Sequence, residues 1–230
     1  MYVSGAPGAG KTSLAVPLAA ELGYALISKD IIKEALHDAL GAPDADLVWS
    51  RRLGGAAMEL LWTLAARAPE VVLEANFRPY SEFERNRLSA LAGTGGSNGP
   101  GSSSEPAGFS EPVSFSGSGG FRGTGGYNAP RGLSGAGGSA GSGGSGGLGG
   151  GSAGLCRAVE VHCVCPPELA SARYNARPTH PVHAIKTLPV EAMAEYDRPV
   201  GIGALVTVDT TRPVDVAAVA GLVRAAQSTG

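Results

Sequence analysis

The chain has 230 residues, 36 of them glycine, and a formal net charge of −2. No block of lysine or arginine exists, so a nucleic-acid backbone held on a broad basic surface is not expected, while a small local anion site stays open. No run approaches the ~18 apolar residues of a membrane span, and "MYVSGAPG" lacks a charged segment ahead of an apolar one. The sequence therefore points to a cytoplasmic protein with no membrane partner.

The glycines are concentrated. Residues 93–154 hold 25 of the 36, and Glu105, Glu111, Arg122 and Arg131 are the only charged residues there. Glycine and serine lose much backbone freedom on ordering and bring little apolar area to offset it, so this stretch is expected to be a disordered, low-complexity Gly/Ser-rich insert. Residues 1–92 with 155–230, about 170 in all, are then one folding unit large enough to bury a core.

"YVSG" is a very short apolar strand, as a truncated start would give, and leads into "GAPGAGKTS", Gly5 to Ser13. "KTSLAVPLAAELG" reads as a helix ended by Gly23. Pro17 lies beyond its first turn, where the ring removes a donor and crowds the preceding turn, so a kink is expected. "YALI" (24 to 27) reads as a buried strand, and "DIIKEALHDAL" as a helix opened by Ser28 or Asp30. Residues 47–67 read as a longer helix with Leu53, Ala57, Leu60, Leu61 and Leu64 near helical spacing, weakened by Gly54 and Gly55. "EVVLEANF" (70 to 77) has the β-branched character of a buried strand, followed by a charged helix in "YSEFERNRLSALAG". Beyond the insert, "AVEVHCVC" is strand-like, "PPELASARYNAR" helical, "ALVTVD" (204 to 209) a strand and "PVDVAAVAGLVRAAQ" a terminal helix.

Apolar strands alternating with helices define an α/β fold, a mainly parallel sheet covered on both faces, with ligands at the carboxyl ends of the strands. Gly5, Asp30, Glu74 and Asp209 all fall at or just beyond such ends and converge on one rim. Cys156, Cys163 and Cys165 lack a second cysteine pair or suitably spaced histidines, so they read as reduced structural thiols and no zinc is predicted on them.

The run Gly5-Ala6-Pro7-Gly8-Ala9-Gly10-Lys11-Thr12, followed by Ser13, matches GxxxxGK[ST] between a strand and a helix. Glycines let successive backbone N–H groups face a phosphate, and the helix N-terminus adds partial positive charge. Lys11 is expected to reach the β and γ phosphates, and the Thr12 hydroxyl to ligate Mg²⁺. ATP and Mg²⁺ are the expected cofactors.

Beyond this loop, "SGAPGAGKTSLA", "LISKDIIKEAL", "VVLEANFRP", "VHCVCPPELASARYNAR" with "HPVH", and "VDTTRPVD" occur in order over nearly all of the chain except the insert. This set resembles the small P-loop kinases that include chloramphenicol phosphotransferase, zeta toxin and polynucleotide kinase, often labelled AAA-type ATP-binding proteins. The resemblance implies a P-loop NTPase fold: a five-stranded parallel sheet with the P-loop strand central, helices on both faces and a lid helix. The implied activity is transfer of the ATP γ-phosphate to a hydroxyl of a small molecule. Asp30 would be the general base, although its position also suits a helix N-cap. Glu74 would hold a water of the Mg²⁺ shell; relatives more often carry Asp there, and a Glu that polarised water would instead make an ATPase.

Arg173 and Arg177, four apart, would be lid arginines stabilising charge on the transferring group, the alternative being a solvated helix face. His180 and His183 read as lid structure. Thr210 and Arg212 would contact the adenine, while Asp209 could cap the last helix. Asn76 and Arg78 would face the acceptor, and Lys33 would steer an anionic substrate or be solvated. No NKxD motif for guanine follows the loop, and the small helical domain of a ring motor is missing. An ATP-hydrolysing or ATP-sensing switch is the second expectation. No obligate protein partner is readable.

Overall fold

The computed structural model describes residues 1–41, 46–93 and 158–228. Strands β1 (Tyr2–Ser4), β2 (Ala25–Ser28), β3 (Val71–Glu74), β4 (Val159–Val164) and β5 (Ala204–Asp209) pair in parallel in the order β2-β3-β1-β4-β5. All elements belong to one unit built from Met1–Ser97 and Gly154–Gly230. The expected insert lies outside the described residues apart from Gly93, and so does Cys156. Among the described residues no helix is long and apolar enough to cross a membrane.

The glycine-rich loop leaves the central strand, because β1 sits between β3 and β4, with Tyr2 opposite both Leu73 and Glu160. Side chains alternate across a strand, so each β1 residue commits to one face. Val3 joins Val72, Val159 and Val161 in a core against α1 (Lys11–Leu22) and α6 (Val216–Ser228), through Leu14, Leu18, Val219 and Val223. Tyr2 joins Leu73 and Phe77 in a second core, closed by Leu61 and Trp62 of α3 (Leu47–Ala65) and Leu88 of α4 (Glu82–Leu91).

The helix α1 continues through Pro17, and no break occurs at the expected kink. It ends where Gly23 takes the left-handed conformation: the Gly23 and Tyr24 amides donate to the carbonyls of Ala20 and Ala19. That closure uses the Tyr24 amide, so β2 starts one residue later than expected, with the Ala25 amide donating to the Glu70 carbonyl. β2 is also an edge strand, exposed or half-buried until Ser28, rather than the buried strand its apolar run suggests.

In α3, Leu53, Ala57 and Leu61 are buried at intervals of four. Leu60 and Leu64 are exposed, correcting their assignment to the core face. Gly54 and Gly55 lie inside the continuous helix. β5, at the opposite edge, buries Val206 and Val208 but exposes Leu205 and Thr207, so only one face of this strand is covered. A 3₁₀ helix, Val190–Tyr196, was not legible in the sequence and packs Met193 into the first core.

One polar network lies within the sheet itself. The Glu160 carboxylate, fully buried, accepts from the Ser4 and Tyr2 hydroxyls at 2.5 and 2.9 Å and from the Val200 and Gly201 amides at 2.8 Å each. Ser4 spends its only proton on Glu160, so at the 2.8 Å contact with His162 its oxygen accepts from Nδ1–H. Burial holds the His162 pKa below its ordinary value and keeps the ring neutral.

Candidate functional site

The loop after β1 closes with the Ala9 amide donating to the Ala6 carbonyl at 3.0 Å and delivers Gly10 to the N-cap of α1 in the left-handed conformation. Gly8 has φ +80, and a Cβ there would stand 2.1 Å from the Ala170 carbonyl oxygen of α5 (Pro167–Ala176). Gly5, φ +129, has the Cys163 carbonyl oxygen 2.6 Å from such a Cβ. The missing side chains are thus a geometric requirement of a loop wedged between β4 and α5. Gly8→Ala is expected to lower ATP affinity at least roughly tenfold and to cost about 1–3 kcal/mol of stability. Calorimetric titration with ATP and a urea melt would check this; near-native values in both would show that the wedge gives way easily.

Lys11 is buried at the start of α1, its ammonium donating to the Gly5 and Ala6 carbonyls at 2.9 and 2.7 Å. Burial pulls its pKa down, against which the Glu74 carboxylate pushes up. Glu74, the last residue of β3, is itself buried and accepts from the Thr12 hydroxyl at 3.2 Å and the Ser28 hydroxyl at 2.5 Å. It is therefore not a solvated strand-end carboxylate. No motif marks Ser28 as a site residue, and its place two residues before Asp30 at the end of a strand is the local signal for it.

Asp30 is the second residue of α2 (Lys29–Leu40), and Ser28 occupies the N-cap without capping through its side chain. The capping alternative for Asp30 thus falls away. Burial raises the Asp30 pKa, but Lys29, at 3.3 Å, together with His183 and Arg177 outweighs it, and the carboxyl is held below its ordinary value.

These groups line one cleft of 460 Å³: Pro7, Gly8, Gly10, Lys11, Thr12 and Ser13 on its floor, Asp30, Glu74 and Asn76 on one side, and Arg173, Arg177, Thr210 and Arg212 on the other. Gly5, Ala6 and Ala9 complete the loop without lining it, and Asp209 also stays outside. Four basic side chains against two carboxylates suit a highly charged anion. The left-handed glycines, the buried ammonium and a hydroxyl beside a carboxylate fit a nucleoside triphosphate with a divalent ion.

Several side chains have structural partners that sequence alone did not indicate. The Arg173 guanidinium donates to the Thr210 carbonyl at 2.9 Å and the Thr211 carbonyl at 3.4 Å, so it fastens α5 to the loop after β5. Thr210 is buried, and its hydroxyl donates to the Ala9 carbonyl at 2.7 Å, buttressing the glycine-rich loop. Arg177, just past α5, lies over the Tyr174 ring at 4.5 Å. Asp209 accepts from the Thr211 amide, whereas Asp215 caps α6 by accepting from the Ala218 amide, which corrects the cap expected at Asp209. Arg78 is drawn into an ion pair with Glu84 at 2.8 Å and does not line the cleft. Lys33 is buried against the Ser50 hydroxyl at 2.9 Å rather than solvated. Cys163 and Cys165 are free thiols, and burial pushes Cys163 up to about 11.

Residues 1–98 match the family model described as an AAA domain. A crystal structure from Chloroflexus aurantiacus j-10-fl, of a protein assigned provisionally as a kinase, superposes with a TM-score of 0.59 at 23% identity, covering 97% of this chain and 96% of that one. Shikimate kinase from Acinetobacter baumannii in complex with shikimate gives a TM-score of 0.47 at 13% identity, covering 97% of this chain and 89% of that one. A gluconokinase from Sinorhizobium meliloti 1021 gives 0.40 at 17% identity, with coverages of 99% and 88%. None of the curated proteins matches the chain in sequence.

Proposed function

We propose that this chain, which has the P-loop kinase fold, is a phosphotransferase that moves the γ-phosphate of ATP to a hydroxyl of a small molecule. The observation that carries the proposal is the convergence of the Gly5–Thr12 loop, the buried Lys11 and the ionised Asp30 on one cleft. Loop amides and Lys11 would hold the triphosphate, Thr12 would ligate Mg²⁺, and Glu74 would orient the Thr12 hydroxyl and a water of the ion. The Mg²⁺ ion supplies neutralisation of phosphate charge when bound.

Asp30 would accept the hydrogen bond of the acceptor hydroxyl and take its proton as the oxygen–phosphorus bond forms and the bond to the departing ADP oxygen breaks. Its depressed pKa makes it a weak base, suited to orienting the nucleophile and receiving the proton late. Arg177 is freer than Arg173 to follow the transferring group, since its contact in the cleft wall is a ring face rather than a pair of carbonyls. Arg173 and Thr210 would set the nucleotide-binding wall, with Arg212 against the base.

The test is an ATP-consumption assay over antibiotics, nucleosides, sugars and amino sugars, run on the full chain and on Asp30→Asn. Acceptor phosphorylation is expected to fall by roughly 10²–10⁴-fold in the variant, while nucleotide binding and background hydrolysis persist. Hydrolysis as the sole activity, equal in both proteins and indifferent to every acceptor, would favour the ATPase reading instead.

A further inference from the structure

We infer that His37, Asp38 and His180 form a binding site for a divalent transition-metal ion of the zinc type, which fastens the segment after α5 onto the far end of α2. One ligand atom from each residue falls within 4.8 Å of the other two. His37 Nδ1 is 3.6 Å and His180 Nε2 is 3.0 Å from the same oxygen, Asp38 Oδ1. A tetrahedral ion with ligands at about 2.0–2.1 Å needs ligand–ligand edges of about 3.3 Å, so these two distances bracket the requirement.

The second observation is His37 itself. Its side chain is nine-tenths buried, yet neither ring nitrogen has a hydrogen-bond partner among the described residues. A neutral imidazole offers one donor and one acceptor, and burying both unpaired is costly. The ring packs edge-on against His180, with centroids 5.2 Å apart, which turns it toward the cluster. Asp38 is two-thirds exposed and leaves a route for the ion from solvent.

Two imidazoles and one carboxylate select zinc, cobalt or nickel over magnesium, which prefers an all-oxygen shell. The site is thereby chemically separate from the Thr12 and Glu74 position. Two competing bonds must yield, the first being that from His180 Nε2–H to Asp38 Oδ1 at 3.0 Å. His180 Nδ1 accepts from the Val182 amide at 3.2 Å, and an ion on Nε2 requires the ring proton to move to Nδ1. That long bond would be exchanged for a metal–nitrogen bond.

Beside the cluster, His183 Nε2 stands 2.9 Å from Glu34 Oε1, so the same segment meets α2 at a second point. Asp30 lies about 12 Å along α2 from Asp38. The ion would thus fix the segment flanking the cleft without touching the reacting groups, and the inference does not depend on the proposed reaction.

The full chain, stripped with a chelator, would be titrated with Zn²⁺ by calorimetry and with Co²⁺ by visible absorption, with Mg²⁺ as the contrasting ion. One equivalent of Zn²⁺ is expected, together with a raised thermal midpoint. His180→Ala, at the half-buried member, should weaken binding at least roughly tenfold and remove the midpoint rise, and His37→Phe, which keeps a flat ring without ligand atoms, should do the same. His183→Gln should leave Zn²⁺ affinity unchanged. Absence of saturable uptake, undiminished affinity in His180→Ala, or equal competition by Mg²⁺ would overturn the site.

Discussion

Lys11→Met is expected to lower ATP-dependent phosphoryl transfer by about 10²–10³-fold, since a positioned cation facing transferred charge in a dry site carries stabilisation of that order. The ammonium now donates to the Gly5 and Ala6 carbonyls, so it is already held at the loop mouth. Methionine matches the length of the stem and deletes the ammonium group with its charge and its donors. Folding should survive, because removing a buried cation relieves its desolvation, which offsets the two lost hydrogen bonds. Steady-state transfer assays with parallel ATP calorimetry would measure this. Retention of more than about a tenth of the activity would contradict the role given to Lys11.

The largest effect on stability is expected at Glu160, away from the cleft. Replacing it with leucine strands the Val200 and Gly201 amides in the protein interior and takes the carboxylate from the Tyr2 and Ser4 hydroxyls, which keep only the Ile202 backbone and the His162 ring. The expected loss is about 3–5 kcal/mol, a large share of the roughly 5–15 kcal/mol that holds a domain folded. Tyr2→Phe removes one donor to Glu160 and the acceptor of the Ile202 amide, and should cost about 1–2 kcal/mol, with strong coupling between the two substitutions. Urea unfolding of both single variants and the double variant would decide it. A shift below about 1 kcal/mol for Glu160→Leu would mean that water replaces the carboxylate.

What the sequence made legible was local chemistry. The GxxxxGK[ST] loop, the alternation of strands and helices, and the last strand at residues 204–209 all depend on near neighbours along the chain, and the structure has them in place. Of Gly5, Asp30, Glu74 and Asp209, which strand ends put on one rim, Asp30 and Glu74 line the cleft and Gly5 and Asp209 stay outside it, while Arg173, Arg177 and Thr210, which only the family resemblance points to, line it as well.

What escaped were bonds between distant residues. Glu160 reads as one charged residue in an apolar strand, and only the parallel register that sets it beside Tyr2 reveals its four donors. Arg173 reads from sequence as a lid arginine or a solvated helix face, since no local pattern shows that two carbonyls, 37 and 38 residues onward, take up its guanidinium. The edge position of β2 was hidden for a related reason: an apolar run looks the same whether one or two strands flank it.

The bonds from Arg173 to the Thr210 carbonyl and from the Thr210 hydroxyl to the Ala9 carbonyl form an unbroken linkage. A rigid shift of α5 would tug directly on the backbone of the glycine-rich turn, and a ligand seated in that turn would pull back on α5. One wall of the cleft and its floor are therefore geared together through a single threonine, and neither can relax without the other registering it.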